Sequence, residues 1–128
     1  MPAGQNPKHI SVAQGIMPGG NVVVRRAGPP GVKKDTPIWS YGIAVVVSTH
    51  MSDALVQSLL KTWSAHWKEL GPVHPVLRGW SPDKFARTTA TIPYHPGAIK
   101  FYKEMGTWTP EMERNLAFLK RGELPFLK

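Results

Sequence analysis

The chain has 128 residues, 41% of them hydrophobic and 19% charged, and no cysteine. That length suits one domain, the apolar share is enough for a packed core rather than a disordered chain, and the missing thiols exclude disulfides, thiolate metal sites and cysteine nucleophiles. The formal charge of +8 is unevenly placed: residues 1–34 hold Lys8, Arg25, Arg26, Lys33 and Lys34 and no acid, while the rest carries eleven bases against eight acids.

Residues 1–37 read as a loop-rich basic opening, and residues 38–128 as a strand followed by helices, the whole forming a single segment. The clusters "MPGG" (Met17–Gly20) and "AGPPG" (Ala27–Gly31) mark turns. Between them "NVVV" (Asn21–Val24) reads as a short strand, and "HISVA" (His9–Ala13) is a weaker strand candidate. The stretch "MPAGQNPKHISVAQG" has no charged start followed by an apolar block, so no export signal is expected in it. The clearest strand is "IWSYGIAVVVS" (Ile38–Ser48). Its Val45–Val47 run is apolar on both faces, which predicts a central strand covered on both sides, as in α/β folds. Gly42 within it permits a bend. The apolar run from Ile43 is far shorter than the ~20 residues of a membrane-spanning helix.

Four helices follow. Ser52 caps the first and Asp53 suits its positive end. Leu55, Val56, Leu59, Leu60, Trp63, Trp67 and Leu70 then keep a helical period to the stop at Gly71–Pro72, with both Trp on the buried side. "SPDKF" opens a second helix, capped by Ser81 with Pro82 in its first turn, to about Thr88. A third runs from Pro96 to Gly106, with Trp108 placed to fold back on it. In the fourth, Thr109 caps, Pro110 follows, Glu111 and Glu113 meet the dipole, and Gly122 ends it.

Chemistry-bearing patterns are sparse. The histidines His9, His50, His66, His74 and His95 show no metal-ligand spacing. No G-x-S-x-G elbow, P-loop or G-x-G-x-x-G cradle occurs. No catalytic residue, metal site or cofactor is therefore expected. The basic opening admits two readings. One is a small nucleic-acid-binding or interaction module using residues 8–34, with Arg25, Arg26, Lys33 and Lys34 on phosphates. The other is a solvated or anion-facing loop. No aromatic side chain lies among those bases to stack on single strands, and no helix presents a basic face, so no specific nucleic acid is expected as a partner.

"TIPYHPGAIKFYKEMG" (Thr91–Gly106) is the densest motif. Pro93 and Pro96 hold Ile92 and His95 extended, and Pro96 opens the helix. His95 falls at the cap, where its ring can meet free backbone N–H groups. Ile99, Tyr102 and Met105 then line one face, predicted to be buried under the strand layer.

The same stretch resembles the C-terminal part of the TAXI family of solute-binding proteins, which serve tripartite ATP-independent periplasmic (TRAP) transporters. The shared block is His95-Pro96-Gly97-Ala98, the helix through Ile99-Lys100-Phe101-Tyr102, and Lys103-Glu104-Met105-Gly106. Upstream, Gly31, Val32, Asp35, Pro37 and the strand to Val47 are similar to a loop that leads into a buried strand in that family. The likeness spans roughly residues 15–121. It implies an α/β fold, part of a periplasmic-binding-protein-like (type II) lobe, from the C-terminal third of a two-lobe protein. It further implies a periplasmic location and capture of a small organic anion, a carboxylate, for the membrane subunits of a TRAP transporter, without catalysis. Thr36, Trp39, Ser40, Tyr41 and Tyr94 are the expected ligand contacts. His95, Pro96, Gly97 and Ala98 form the expected structural motif, and Asp35 holds a turn.

Overall fold

The structure, a computed structural model, describes residues 6–123. The reading of the first residues as leaderless extends into residues 1–5, which lie outside the described residues, as do 124–128 of the segment. The described chain divides into two compact units, one running to Val45 and the other spanning Val46–Glu123.

The first unit joins a helix to a β-hairpin. Helix α1 (Pro7–Ile16) includes the "HISVA" stretch expected as a strand. Asn6 explains the difference. Its side chain accepts the Lys8 N–H at 3.0 Å, and Pro7 sits in the first turn. Those start signals outweigh the mild strand preference of Ile10 and Val12. Strands β1 (Gly20–Arg25) and β2 (Thr36–Tyr41) pair antiparallel, from Gly20 opposite Tyr41 to Arg25 opposite Thr36. The Gln14 side chain donates to the Gly20 carbonyl at 3.1 Å and ties α1 to β1.

β2 stops at Tyr41, so Gly42 and the Val45–Val47 run lie outside any strand. Ile43, Val45 and Val46 are exposed. The apolar run states what would suit both of its faces; it does not supply a partner. The one described strand able to pair, β1, is taken by residues 36–41. The expected central strand is therefore replaced by a two-stranded antiparallel sheet.

The second unit is helical. Helix α2 (Asp53–Leu70) starts at its Ser52 cap, whose hydroxyl accepts the Leu55 N–H. The second expected helix is reduced to a 3-10 turn at Pro82–Lys84, preceded by another at Pro75–Gly79 that His74 caps. Ser81 makes no side-chain cap bond there. Helix α3 (Pro96–Glu104) and helix α4 (Pro110–Lys120) follow the expected capping grammar. Gly106 and Gly122 end them at φ 69° and 74°, in the left-handed region where a side chain is strained. The Thr107 N–H then closes on Tyr102 O at 2.9 Å, and the Glu123 N–H on Phe118 O at 3.0 Å.

The core of this unit consists of Val56, Ala86, Ala98, Phe101, Tyr102 and Met112, with Val47, Met51, Leu60, Phe85, Tyr94 and Trp108 packed on it. Leu116 and Leu119 of α4 are also buried. Two expectations fail here. On α2 only Val56 is fully buried, while Leu55 and Leu59 are exposed and Trp63 and Trp67 are half-buried. On α3 the buried positions are Gly97, Ala98, Phe101 and Tyr102, whereas Met105 is 48% exposed. The reason is what α3 packs on. It lies against α2, not under a strand layer, and that turns the buried stripe toward Phe101. Aromatic rings fill the periphery: Trp63 stacks on Trp80 at 5.3 Å, and Tyr102 stacks on Trp108 at 6.4 Å. The Trp108 indole N–H donates to Glu113 at 2.6 Å, which fastens the α3–α4 connection.

Truncation separates the two versions of the α3 face. Phe101→Ala should cost about 3–5 kcal/mol, as for a large core aromatic. Met105→Ala should stay within about 0.5 kcal/mol, as for a surface change. Urea midpoints of both variants measure this, and the reverse order would restore the Ile99–Tyr102–Met105 face.

Candidate functional site

The H-P-G-A block sits where the N-termini of α2 and α3 meet. The His95 backbone is extended at φ −62°, ψ 140°, and Pro96 follows in the first turn of α3. One ring nitrogen, Nδ1, accepts the Gly97 N–H at 3.1 Å. The other, Nε2, donates to the Met51 carbonyl at 3.0 Å. A single neutral tautomer, Nε2–H, makes both bonds. In that tautomer Nδ1 carries no hydrogen for Asp53, whose Oδ1 stands 3.6 Å away, so the approach is not an ion pair.

Gly97 completes the junction. A Cβ at this position would stand 2.5 Å from the Asp53 carbonyl oxygen and 2.8 Å from its Cα. These are backbone atoms and cannot swing aside. Ala98 is buried directly behind. Both nitrogens of His95 are engaged, which leaves no lone pair for a metal or a solute. Asp53 places a carboxylate at the first turn of α2 and next to the start of α3, where it meets their positive ends. An incoming anion would face that carboxylate.

Tyr94, one residue earlier, is also committed. Its hydroxyl accepts the Arg87 N–H at 2.7 Å and donates to the Arg87 carbonyl at 3.0 Å. Its ring meets Tyr102 and Trp108 edge-on at 5.6 and 5.4 Å. Burial raises its pKa above the usual value, partly offset by the Arg87 backbone. Burial, with a smaller contribution from Tyr94, pushes the Tyr102 phenol up to about 12.

Thr36, Trp39, Ser40 and Tyr41 lie together on β2, in the other unit. Side chains alternate along the strand, so Trp39 and Tyr41 share one face and Thr36 and Ser40 the opposite one. The Thr36 hydroxyl donates to the Lys34 carbonyl at 2.7 Å. The Trp39 ring lies over Gly20, leaving no room for a Cβ there, and its indole N–H donates to Met17 Sδ at 3.2 Å. Tyr41 is 62% exposed. Asp35 holds the hairpin turn by accepting the Ala27 N–H at 2.9 Å. Two shallow depressions in the helical unit, of about 280 and 310 Å³, are lined by Lys61, Ser64 and Phe101 and by Trp67, Lys68 and Arg78 among others. Neither includes an expected contact residue.

Two participants escape sequence reasoning. Met51 contributes only a carbonyl, and no residue type announces which carbonyl a ring 44 positions away will reach. Asp53 reads locally as a dipole partner, while its backbone is what Gly97 needs space for. The one available signal is Gly97 itself, since glycine inside a first helical turn costs stability unless something must come close.

The sequence profile of the NMT1-like family matches residues 16–106, more than two thirds of the chain. The matched span contains the hairpin, α2 and the complete H-P-G-A block through Gly106. No curated protein and no solved structure matches the chain.

Gly97→Ala should destabilise the helical unit by about 1–3 kcal/mol, because the added methyl meets backbone. His95→Ala should cost about 0.5–2 kcal/mol for the lost cap. Thermal melts of both variants check this, and unchanged melts would remove the junction from the account. Alkaline pH offers a separate check. A phenol raised from 10.0 to about 12 stabilises the fold fully below pH 10, and that contribution is lost as pH rises through about 12. Tyr102→Phe should flatten this alkaline loss in urea unfolding measured across the same range.

Proposed function

The chain belongs to the NMT1-like family, a periplasmic solute-binding family, and from that premise we propose that it captures a small organic anion for uptake. The reading is of a TAXI-type solute-binding component whose carboxylate ligand is handed to the membrane subunits of a TRAP transporter. The observation that carries it is the profile match, whose span ends at the same Gly106 that closes the H-P-G-A helix. Capture needs shape, hydrogen bonds and charge, not bond-making, and a basic chain of +8 is suited to an anion.

Members of such a family are typically periplasmic or extracellular. No helix among the described residues is long and apolar enough to cross a membrane. The exposed Ile43, Val45, Val46, Leu55 and Leu59 support reading the chain as one portion of a two-lobe binding protein whose other parts cover these side chains.

Within the hairpin, Tyr41 is the leading contact because its ring is open to a solute, whereas Thr36 and Ser40 lie on the opposite face of the strand. Trp39 contributes the ring edge left by Gly20 and Met17. In the helical unit Arg87 occupies the Tyr94 hydroxyl, and His95, Pro96, Gly97 and Ala98 hold the frame.

Titration calorimetry with glutamate, a small dicarboxylate and their neutral amides tests the reading. The carboxylates should give saturable heat and the amides none. Tyr41→Ala should weaken binding about tenfold, or ~1.4 kcal/mol, with an unchanged melt. His95→Ala should lower the melt and leave affinity within about twofold. Heat from the amides alone, or loss of binding in His95→Ala at constant melt, would contradict the assignment.

A further inference from the structure

The solute reading leaves the far end of the hairpin unused, and that end has an uncommon arrangement. The connection between β1 and β2 runs Arg25-Arg26, then Ala27-Gly28-Pro29-Pro30-Gly31-Val32, then Lys33-Lys34. A loop without charge or polar side chains is thus bracketed by two cation pairs. The register brings the brackets together, because Arg25 stands opposite Thr36 at the last rung of the ladder. All four cations are exposed, as are Ala27, Gly28, Pro30 and Gly31. Asp35 is the only acid among the described residues of this unit, and it is turned to the Ala27 N–H.

Most backbone donors of the loop are met within it. The Ala27 N–H is bonded to Asp35, the Gly28 N–H to Val32 O at 3.1 Å, and the Val32 N–H to Pro29 O at 2.9 Å. Pro29 and Pro30 have no N–H to satisfy. Only Gly31 in this loop leaves its donor to the surroundings. Val23, Val24 and Ile38 on the adjoining strands are 43%, 49% and 40% exposed, which extends the apolar surface behind the cations.

From this geometry we infer that the hairpin tip, Arg25 to Lys34, docks on the surface of an anionic lipid bilayer. The apolar loop enters the headgroup boundary, and the two cation pairs meet lipid phosphates on either side. Binding to such a surface grows with the apolar area inserted and with the attraction of nearby cations for anionic lipid, so the two features reinforce each other. The same feature argues against single-stranded nucleic acid. A polyanionic strand would be followed by a charged track with stacking rings, but the tip has no aromatic residue, and Trp39 and Tyr41 lie toward the opposite end of β2. The inference does not depend on the identity of the solute.

The test is co-sedimentation of the full chain with vesicles of phosphatidylcholine, with and without phosphatidylglycerol. Binding should require the anionic lipid and weaken with salt. Arg25→Gln with Arg26→Gln should reduce partitioning about twenty-five-fold, since each surface cation near such a bilayer is worth roughly fivefold. Lys33→Gln with Lys34→Gln should do the same, so that a folding defect in one pair does not decide the outcome. Pro30→Ser with Val32→Ser keeps every charge and should also reduce partitioning. Circular dichroism and melts of these variants should match the parent. Equal binding to neutral vesicles, absence of binding, or indifference to either class of substitution would overturn the inference. So would a duplex oligonucleotide that binds more tightly than the vesicles at physiological salt.

Discussion

The helical unit depends on one close approach: the first turn of α3 lies on the backbone of Asp53, with no room for a side chain at residue 97. Everything around that contact serves it. Pro93 and Pro96 bracket Tyr94 and His95, which sets the chain direction into the helix. The His95 ring bridges the junction, taking the Gly97 N–H on one side and reaching the Met51 carbonyl on the other. Once the two helix starts are pinned, Phe101 and Tyr102 fall onto α2, and Met112 and Leu116 of α4 close the layer. Tyr94 secures the neighbouring loop by clasping both backbone groups of Arg87.

This explains a motif rich in groups that suggest chemistry but arranged so that none is available. An imidazole with both nitrogens bonded cannot transfer a proton to a solute or ligate a metal. A phenol that both donates and accepts within the fold offers a ring and little else. The available polar and aromatic groups are instead on the hairpin, where Tyr41 is open and the cations project.

Local grammar was readable from the sequence; coverage was not. The caps at Ser52, His95 and Thr109 were legible because each is a matter of one side chain and the next turn. At Asn6–Pro7 the same grammar competes with the apolar letters of "HISVA" and prevails, so the stretch is helix α1. Val45–Val47 failed for a different reason. Periodicity reports which faces would gain from burial, but burial depends on a partner, and β1 is already paired with residues 36–41. The α3 face rotated from Met105 to Phe101 because the packing partner is a helix rather than a sheet. Of the candidate site, Gly97 was legible as a place of close approach, while Met51 was not, because a backbone carbonyl leaves no mark in the residue type. The solute-binding class was legible only through the H-P-G-A block and the hairpin-to-α2 passage, both inside the span that the family profile matches.

His95 holds two helix starts together, and its ring nitrogens report that directly. Long-range nitrogen–proton NMR correlation of the labelled chain at neutral pH distinguishes the tautomers. The account predicts a neutral ring protonated at Nε2, with the Nε2 proton protected from exchange by Met51 and Nδ1 bare toward Gly97. A ring protonated at Nδ1, or one averaging freely between tautomers, would contradict it.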